Sequence, residues 1–268
     1  MGHHEGAILA TWVIGQIASI ALLLVTARDK LDSVLDRPNL GLLKPLLAGV
    51  AGHHGLNLAN LAPSLLLPFI VTAVLTPTIN AAFYAAWTMM SVAFLVPASL
   101  ATVVFAVGAK NPSDISAKLR ASLGLSMVSG VAVATMVYLA PNFLLGLFSP
   151  TYAQIAGPSL SILGLSVFPI AIKYHYVSIQ RLDNRMFRAS LLVGFGCLLE
   201  LAGAIAGGVY GGLLGLSIGW LIGLSIEAVL MGPVVIGYLM AGDLQPAAVR
   251  ASALVTEPMQ VGNSMDPI

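Results

Sequence analysis

The sequence predicts an all-α polytopic integral membrane protein, a helix bundle with about seven transmembrane helices. Hydrophobic residues make up 58% of the 268 residues and charged residues only 9%, whereas a soluble domain carries about 25% charged residues. The stretch 45–109 contains no Asp, Glu, Lys or Arg. A bilayer core of about 30 Å takes roughly 20 helical residues, so this stretch is long enough for more than one crossing. The net charge of +1 does not indicate a nucleic acid partner.

The first part of the chain divides into a lone helix, a basic loop and a helical pair. Helix A is predicted at 6–27, and the loop 28–44, which is basic and cytoplasmic, carries apolar residues at the spacing of a short interfacial helix. The uncharged stretch divides into helix B, about 53–75, and helix C, about 80–108. A tight turn near Pro77 separates these two helices.

Four further spans complete a predicted six-helix lobe over residues 45–240. They are helix D (about 121–148), helix E (about 155–180), helix F (about 189–207) and helix G (about 212–240). Pro158 and Pro169 are the expected kink points of helix E, because proline removes a helical hydrogen bond. Glycines at every fourth position from 203 to 223 predict a reversal and close packing of helix F on helix G. Residues 241–268 are predicted to be a disordered cytoplasmic tail.

The basic residues predict the orientation of the chain in the membrane. With seven spans, the links after helices A, C, E and G lie on one side of the bilayer. These links and their flanks hold all 12 Lys and Arg residues, namely Arg28, Lys30, Arg37, Lys44, Lys110, Lys118, Arg120, Lys173, Arg181, Arg185, Arg188 and Arg250. By the positive-inside rule that side is cytoplasmic. We therefore expect a multi-pass plasma membrane protein with its N-terminus outside and its C-terminus in the cytoplasm.

Polar side chains share one face of helix B. They step by four, three and four residues and are His53, Asn57, Asn60 and Ser64. A second set at helical spacing on helix C is Asn80, Tyr84, Trp87 and Ser91. A polar group in hydrocarbon costs several kcal/mol unless it is satisfied. We expect both sets to face other helices or a wet cavity, and we call the helix B set the polar stripe.

Short motifs resemble the second half of a bacterial polysaccharide-export flippase. They are HHGLNL at 53–58, PSLLLP at 63–68, FLVP at 94–97 and LLGLFSPTY at 144–152. These flippases are oligosaccharide flippases of the MOP superfamily (multidrug, oligosaccharidyl-lipid and polysaccharide exporters). Under this resemblance helix A matches the sixth helix of the family, and helices B to G match the seventh to the twelfth.

The resemblance implies a transporter, not an enzyme, and no cofactor. The family exports lipid-linked oligosaccharide or polysaccharide precursors by alternating access of two lobes. This chain supplies one lobe and a single helix of the other, so we expect a truncated or half-length form. The implied partners are membrane lipids, the lipid-linked sugar, and a second lobe or a glycosyltransferase. The implied substrate-binding residues are His53, Asn57, Asn60, Ser64, Tyr84 and Lys173. Two alternatives stay open: a multidrug or cation exporter of the same superfamily, and a non-transporting membrane subunit.

Three Lys or Glu residues, charged at neutral pH, fall inside the predicted spans, namely Lys173, Glu200 and Glu227. Such groups are costly in a bilayer and usually face the interior of a bundle. The two glutamates are candidates for ion or proton coupling. Lys173 has two interpretations: a ligand for an anionic headgroup, which we favour, or the partner of a structural ion pair. His175 is expected at the membrane interface, and no HExxH or Walker A motif predicts a metal or nucleotide site.

Overall fold

Long apolar segments form long helices here, because backbone groups in hydrocarbon must find their hydrogen-bond partners within the protein. The computed structural model describes residues 2–26, 40–110 and 115–240, and within these ranges it contains helices and no strands. The predicted all-α membrane bundle is therefore confirmed. The tail 241–268 and the predicted loop up to residue 39 lie outside the described residues. From Leu40 onward the loop prediction is wrong, because the apolar run continues upstream as helix.

The helices are α1 (Gly2–Thr26), α2 (Leu40–Val74), α3 (Pro77–Lys110), α4 (Ile115–Leu139), α5 (Pro141–Gly146), α6 (Pro150–Gly164), α7 (Val167–Leu182) and α8 (Met186–Met240). The chain divides into two compact units, Met1–Ala48 and Gly49–Ile268. Helix α1 belongs to the first unit. Helices α3 to α8 belong to the second unit, together with Lys173, Glu200 and Glu227.

The described residues contain four helices that are long and apolar enough to cross a membrane, or five with one bent pair. The four are Gly52–Val74, Pro77–Lys110, Ile115–Leu139 and Met186–Met240, and the bent pair is α6 with α7. Helix α8 has 55 residues, which at 1.5 Å per residue is about 80 Å and more than twice the bilayer core. A multi-pass membrane protein is thus established, and the number of seven spans stays a prediction.

Helix D was predicted as one helix from 121 to 148, and both ends are wrong. Helix α4 begins at Ile115 and ends at Leu139, and the short α5 follows it. Pro141 explains the early end, because proline has no N–H and disfavours helical backbone in the residue before it. That residue, Ala140, has φ −132° and ψ 40°.

Helix E is two helices, since α6 and α7 meet at an angle of 47°. Pro169 causes the break, because it has no N–H to donate to the carbonyl of Leu165 four residues earlier. The chain tightens there instead, and the Ser166 hydroxyl donates to the Leu163 carbonyl at 2.5 Å. The kink predicted from Pro169 is confirmed, whereas α6 continues through Pro158 without a break.

Helix α8 is a hairpin with a first limb, residues 186–210, and a second limb, residues 213–240. Between them Gly211 and Gly212 have non-helical backbone angles, and Gly212 has φ +60°, a conformation that favours glycine. The limbs touch through glycines. A Cβ placed on Gly207 would lie 2.0 Å from the Gly215 carbonyl oxygen, and one on Gly203 would lie 2.3 Å from that of Gly219. The predicted reversal and close packing are confirmed.

Two apolar clusters form the core, and α7 crosses both while packing against α3, α4 and α8. Cluster 1 includes Phe83, Trp87, Met90, Leu160 and Trp220. Cluster 2 includes Leu56, Leu119, Tyr176, Met186 and Met231. Each of the three charged residues lies between the two clusters along its helix. Lys173 lies between Ile170 of cluster 1 and Tyr176 of cluster 2. In the same order, Glu200 lies between Ala204 and Val193, and Glu227 lies between Leu224 and Met231.

Candidate functional site

Three buried charged side chains meet where the two apolar clusters join. Lys173 comes from α7, Glu200 from the first limb of α8 and Glu227 from its second limb. The Lys173 Nζ lies 2.8 Å from Glu200 Oε1 and 2.9 Å from Glu227 Oε2. The three residues are 5%, 1% and 0% exposed. An isolated charge at such a position would cost several kcal/mol. The buried ammonium therefore needs the carboxylates beside it, and the carboxylates need the ammonium. We call this group the charge triad.

Glycines give the two carboxylates room. A Cβ on Gly196 would lie 2.1 Å from the Glu227 Cδ, and a Cβ on Gly223 would lie 2.7 Å from the Glu200 Cα. Any larger residue at these positions would push one limb of the hairpin, or one carboxylate, away. The glycine spacing therefore places both glutamates within reach of a single ammonium group.

The four carboxylate oxygens of the triad are not equally satisfied. Glu200 uses both of its oxygens, because Oε2 accepts a hydrogen bond from Trp220 Nε1 at 2.7 Å. Glu227 binds Lys173 through Oε2, and its buried Oε1 has no hydrogen-bond partner. Such an unpaired buried acceptor is uncommon and calls for a physical explanation. It marks Oε1 as the atom of the triad that is open to a further proton or cation.

The charge balance of the triad leads to the same atom. One ammonium faces two carboxylates, so the fully ionised group carries one excess negative charge in a low-dielectric interior. One bound proton, or one small monovalent cation, would neutralise it. In the ranges the structure describes, no group of three or more His, Cys, Asp or Glu side chains gathers to ligate a metal ion. A single free carboxylate oxygen can bind a proton without further ligands.

A small cavity lies beside the triad. Its volume is about 30 Å³, which is room for one or two water molecules. Its polar and aromatic lining includes Asn60, Ser64, Lys173, Tyr174, Glu200 and Trp220. The cavity is far too small for a sugar, and it connects the polar stripe of α2 with the charge triad.

The structure brings some of the predicted site residues together and places others elsewhere. Asn60 and Ser64 line the cavity with Lys173 and Glu200, and Glu227 joins them through Lys173. His53 and Asn57 lie on exposed positions of the stripe, one to two turns before the cavity. Tyr84 is 57% exposed and is not part of the site. The inward face of α3 runs through Phe83 and the neighbouring aromatic residues, so Tyr84 points outward.

The favoured interpretation of Lys173, as a ligand for an anionic headgroup, does not fit the contacts of its ammonium group. Its ammonium contacts two carboxylates and is buried, so it is not available as a direct ligand for an anionic headgroup. The structure favours the other interpretation, in which Lys173 neutralises glutamate.

His175 was expected at the membrane interface, and the structure places it within the bundle, where it is fully buried. Its Nδ1 lies 2.7 Å from the Ala171 carbonyl oxygen, and its Nε2 lies 2.8 Å from the Ser122 hydroxyl. A carbonyl oxygen only accepts, so Nδ1 carries the hydrogen and the serine donates to Nε2. Both ring nitrogens are satisfied, which allows the ring to be buried.

Sequence reasoning missed Trp220, Tyr174 and Arg181 as neighbours of the site. Trp220 had a usable signal, because it precedes Glu227 by two helical turns and so shares its face. Arg181 had none, because it contacts Asn57 across 124 residues of chain.

The fold and the site define a class of protein: a multi-pass helical membrane protein with a buried ion-pair network and a water-sized polar cavity. No family model, curated protein or solved structure matches this chain.

Proposed function

We propose that the chain is a membrane transporter that resembles the C-terminal lobe of a MOP-superfamily flippase for lipid-linked oligosaccharide or polysaccharide precursors. The charge triad is its ion-coupling site. The observation that carries this proposal is the unpaired Glu227 Oε1 in a buried triad beside a water-sized cavity. Buried ion pairs seldom stabilise a fold more than apolar residues would, and ionisable groups inside a membrane commonly mark ion or proton paths.

A proton would act on the triad through charge balance. Protonation of Glu227 removes its attraction for Lys173, and loss of the proton restores it. Two states of α7 relative to the α8 hairpin could therefore differ in their affinity for a proton, which is the requirement for coupling. The polar stripe would shelter the sugar-phosphate head, and the lipid tail would stay in the bilayer. The wall of the substrate site opposite the polar stripe would come from a second lobe. A glycosyltransferase is a further proposed partner.

The proposed orientation places the chain in the plasma membrane with the N-terminus outside and the C-terminus inside. In a Cys197→Ser background, we expect cysteines at Thr78 and Tyr210 to react with a membrane-impermeant maleimide added to intact cells. Cysteines at Ser113 and Asn184 should react only after the membrane is permeabilised. Native Cys197 is buried, so its removal leaves the surface unchanged. Labelling of one residue from the wrong side would overturn this orientation.

The function itself is tested by reconstitution of the full chain in lipid vesicles with a fluorescent lipid-linked disaccharide. We expect translocation at least tenfold faster than in protein-free vesicles, and faster again under a pH gradient. Glu227→Gln should abolish the effect of the gradient, because the amide cannot bind the proton. The matched control is Glu257→Gln, the same chemical change outside the predicted spans. Translocation that is equally gradient-dependent in Glu227→Gln would contradict the assignment of the coupling site.

A non-transporting membrane subunit is the second candidate. Two observations favour it: Lys173 is paired with both glutamates, and the cavity has room for water but not for a sugar. On this reading the chain would show no translocation alone, and affinity purification from its native membrane would recover a partner whose release follows mutation of the exposed polar stripe.

A further inference from the structure

We infer that Arg181 and Asn57 form an anion-binding site at the cytoplasmic end of the polar stripe, and that this site takes the phosphate or pyrophosphate group of an anionic lipid carrier. The inference rests on the proposed function and deepens it. It assigns the role of anion ligand to Arg181 and not to Lys173, whose ammonium is already paired with two glutamates. Both residues lie on α7.

Arg181 is held in place but not saturated. It lies in the last turn of α7, and its Nη2 donates to the Asn57 side-chain oxygen at 2.9 Å. Its Nε is buried and has no hydrogen-bond partner, although the residue as a whole is partly exposed. A guanidinium group offers five N–H donors in a planar fork that matches two phosphate oxygens. A small turn of this group onto an anion would satisfy the unpaired donor.

Arg181 also takes part in no salt bridge within the described residues. Both salt bridges within the described part of the chain belong to Lys173. The nearest acidic residue in sequence, Asp183, accepts a hydrogen bond from Tyr238. Arg185 follows in the link between α7 and α8 and adds positive potential. Of the two cations on α7 that border the polar stripe, Arg181 is therefore the one able to meet an anion.

The site continues into the cavity beside the triad. Arg181 follows Tyr174 by seven residues, so the two share a face of α7 and lie about 10 Å apart along its axis. Asn57 precedes Asn60 by three residues on the polar stripe, and both Tyr174 and Asn60 line the cavity. By the predicted topology the Arg181 end is cytoplasmic, which is where a lipid-linked substrate would enter.

Calorimetric titration of the full chain in detergent tests this inference, with geranyl pyrophosphate, inorganic pyrophosphate and geraniol as probes. We expect geranyl pyrophosphate to bind more tightly than inorganic pyrophosphate, and geraniol not to bind. Arg181→Gln should weaken binding of geranyl pyrophosphate at least tenfold. Arg181→Lys, which keeps the charge but loses the fork, should weaken it less. The matched control is Arg188→Gln, which removes an exposed arginine in the first turn of α8 and should bind as the wild type does.

Several results would overturn the inference. They are unchanged binding by a folded Arg181→Gln chain, an equal loss in Arg188→Gln, or no binding of either pyrophosphate by the wild type. Equal affinity for the two pyrophosphates would assign the site to the free anion and overturn the lipid carrier. Binding is independent of transport. Arg181-dependent binding by a chain that translocates nothing would support this site and contradict the proposed function. Normal translocation by Arg181→Gln would support the proposed function and contradict this site.

Discussion

Lys173→Gln should destabilise the protein by about 3–5 kcal/mol, the usual cost of removing one partner from a buried ion pair. Glu200 and Glu227 would remain buried with no ammonium between them. The loss should appear as a large fall in the thermal unfolding midpoint of the detergent-solubilised chain. The triple variant with Glu200→Gln and Glu227→Gln as well carries no charge at the site. It should regain most of the lost stability, because amides can hydrogen-bond to one another.

Lys110→Gln supplies the control for this experiment. Lys110 is exposed at the end of α3, so the same chemical change there should alter stability by less than about 0.5 kcal/mol. Equal stability of Lys173→Gln and Lys110→Gln would show that the triad does not form. Failure of the triple variant to recover would show that packing, and not charge, holds the three residues together.

Gly219→Ala should separate the limbs of the α8 hairpin. Its new Cβ would lie 2.0 Å from the carbonyl oxygen of Gly203, a backbone atom that cannot turn aside. Gly207→Ala meets the Gly215 carbonyl in the same way from the other limb. Overpacking a tight interior costs about 1–3 kcal/mol and occasionally more. We expect the upper part of this range, measured by unfolding temperature and by yield of monodisperse protein.

Gly194→Ala is the matched control, since it makes the same substitution in the first limb of the same helix. A Cβ on Gly194 meets nothing within 4 Å. Alanine also favours the helix over glycine by up to about 1 kcal/mol, so this variant should be as stable as the wild type or slightly more stable. If Gly219→Ala matched it, the close approach of the limbs would be refuted.

Composition and charge distribution were enough to predict a helical membrane bundle, but not the places where its helices break. Pro158 and Pro169 look alike in sequence. Pro158 and Gln154 line an open cleft, where a freed carbonyl can meet water. Pro169 is buried, and the chain breaks before it. The difference lies in tertiary surroundings that a local pattern does not contain.

The candidate site shows the same division. Depth in the membrane singled out Lys173, Glu200 and Glu227, because charge in an apolar span is costly wherever it occurs. Which of them pair depends on contacts across 27 and 54 residues of chain. The helical period placed Asn60 and Ser64 together on the face of α2 that lines the cavity. The same rule failed for Tyr84, because spacing gives a face and not the direction in which that face points.

The close contacts between glycines hold the two limbs of α8 together as one rigid unit. With backbone against backbone, Glu200 and Glu227 keep a constant separation, so the pair moves as one body. Any change in the distance between Lys173 and the two glutamates would then have to come from α7, which begins at the 47° bend. Lys173 lies seven residues beyond Ser166, about 10 Å along the helix. A swing of roughly 10° at that bend would carry the base of its side chain about 2 Å, enough to exchange a direct ion pair for one bridged by water.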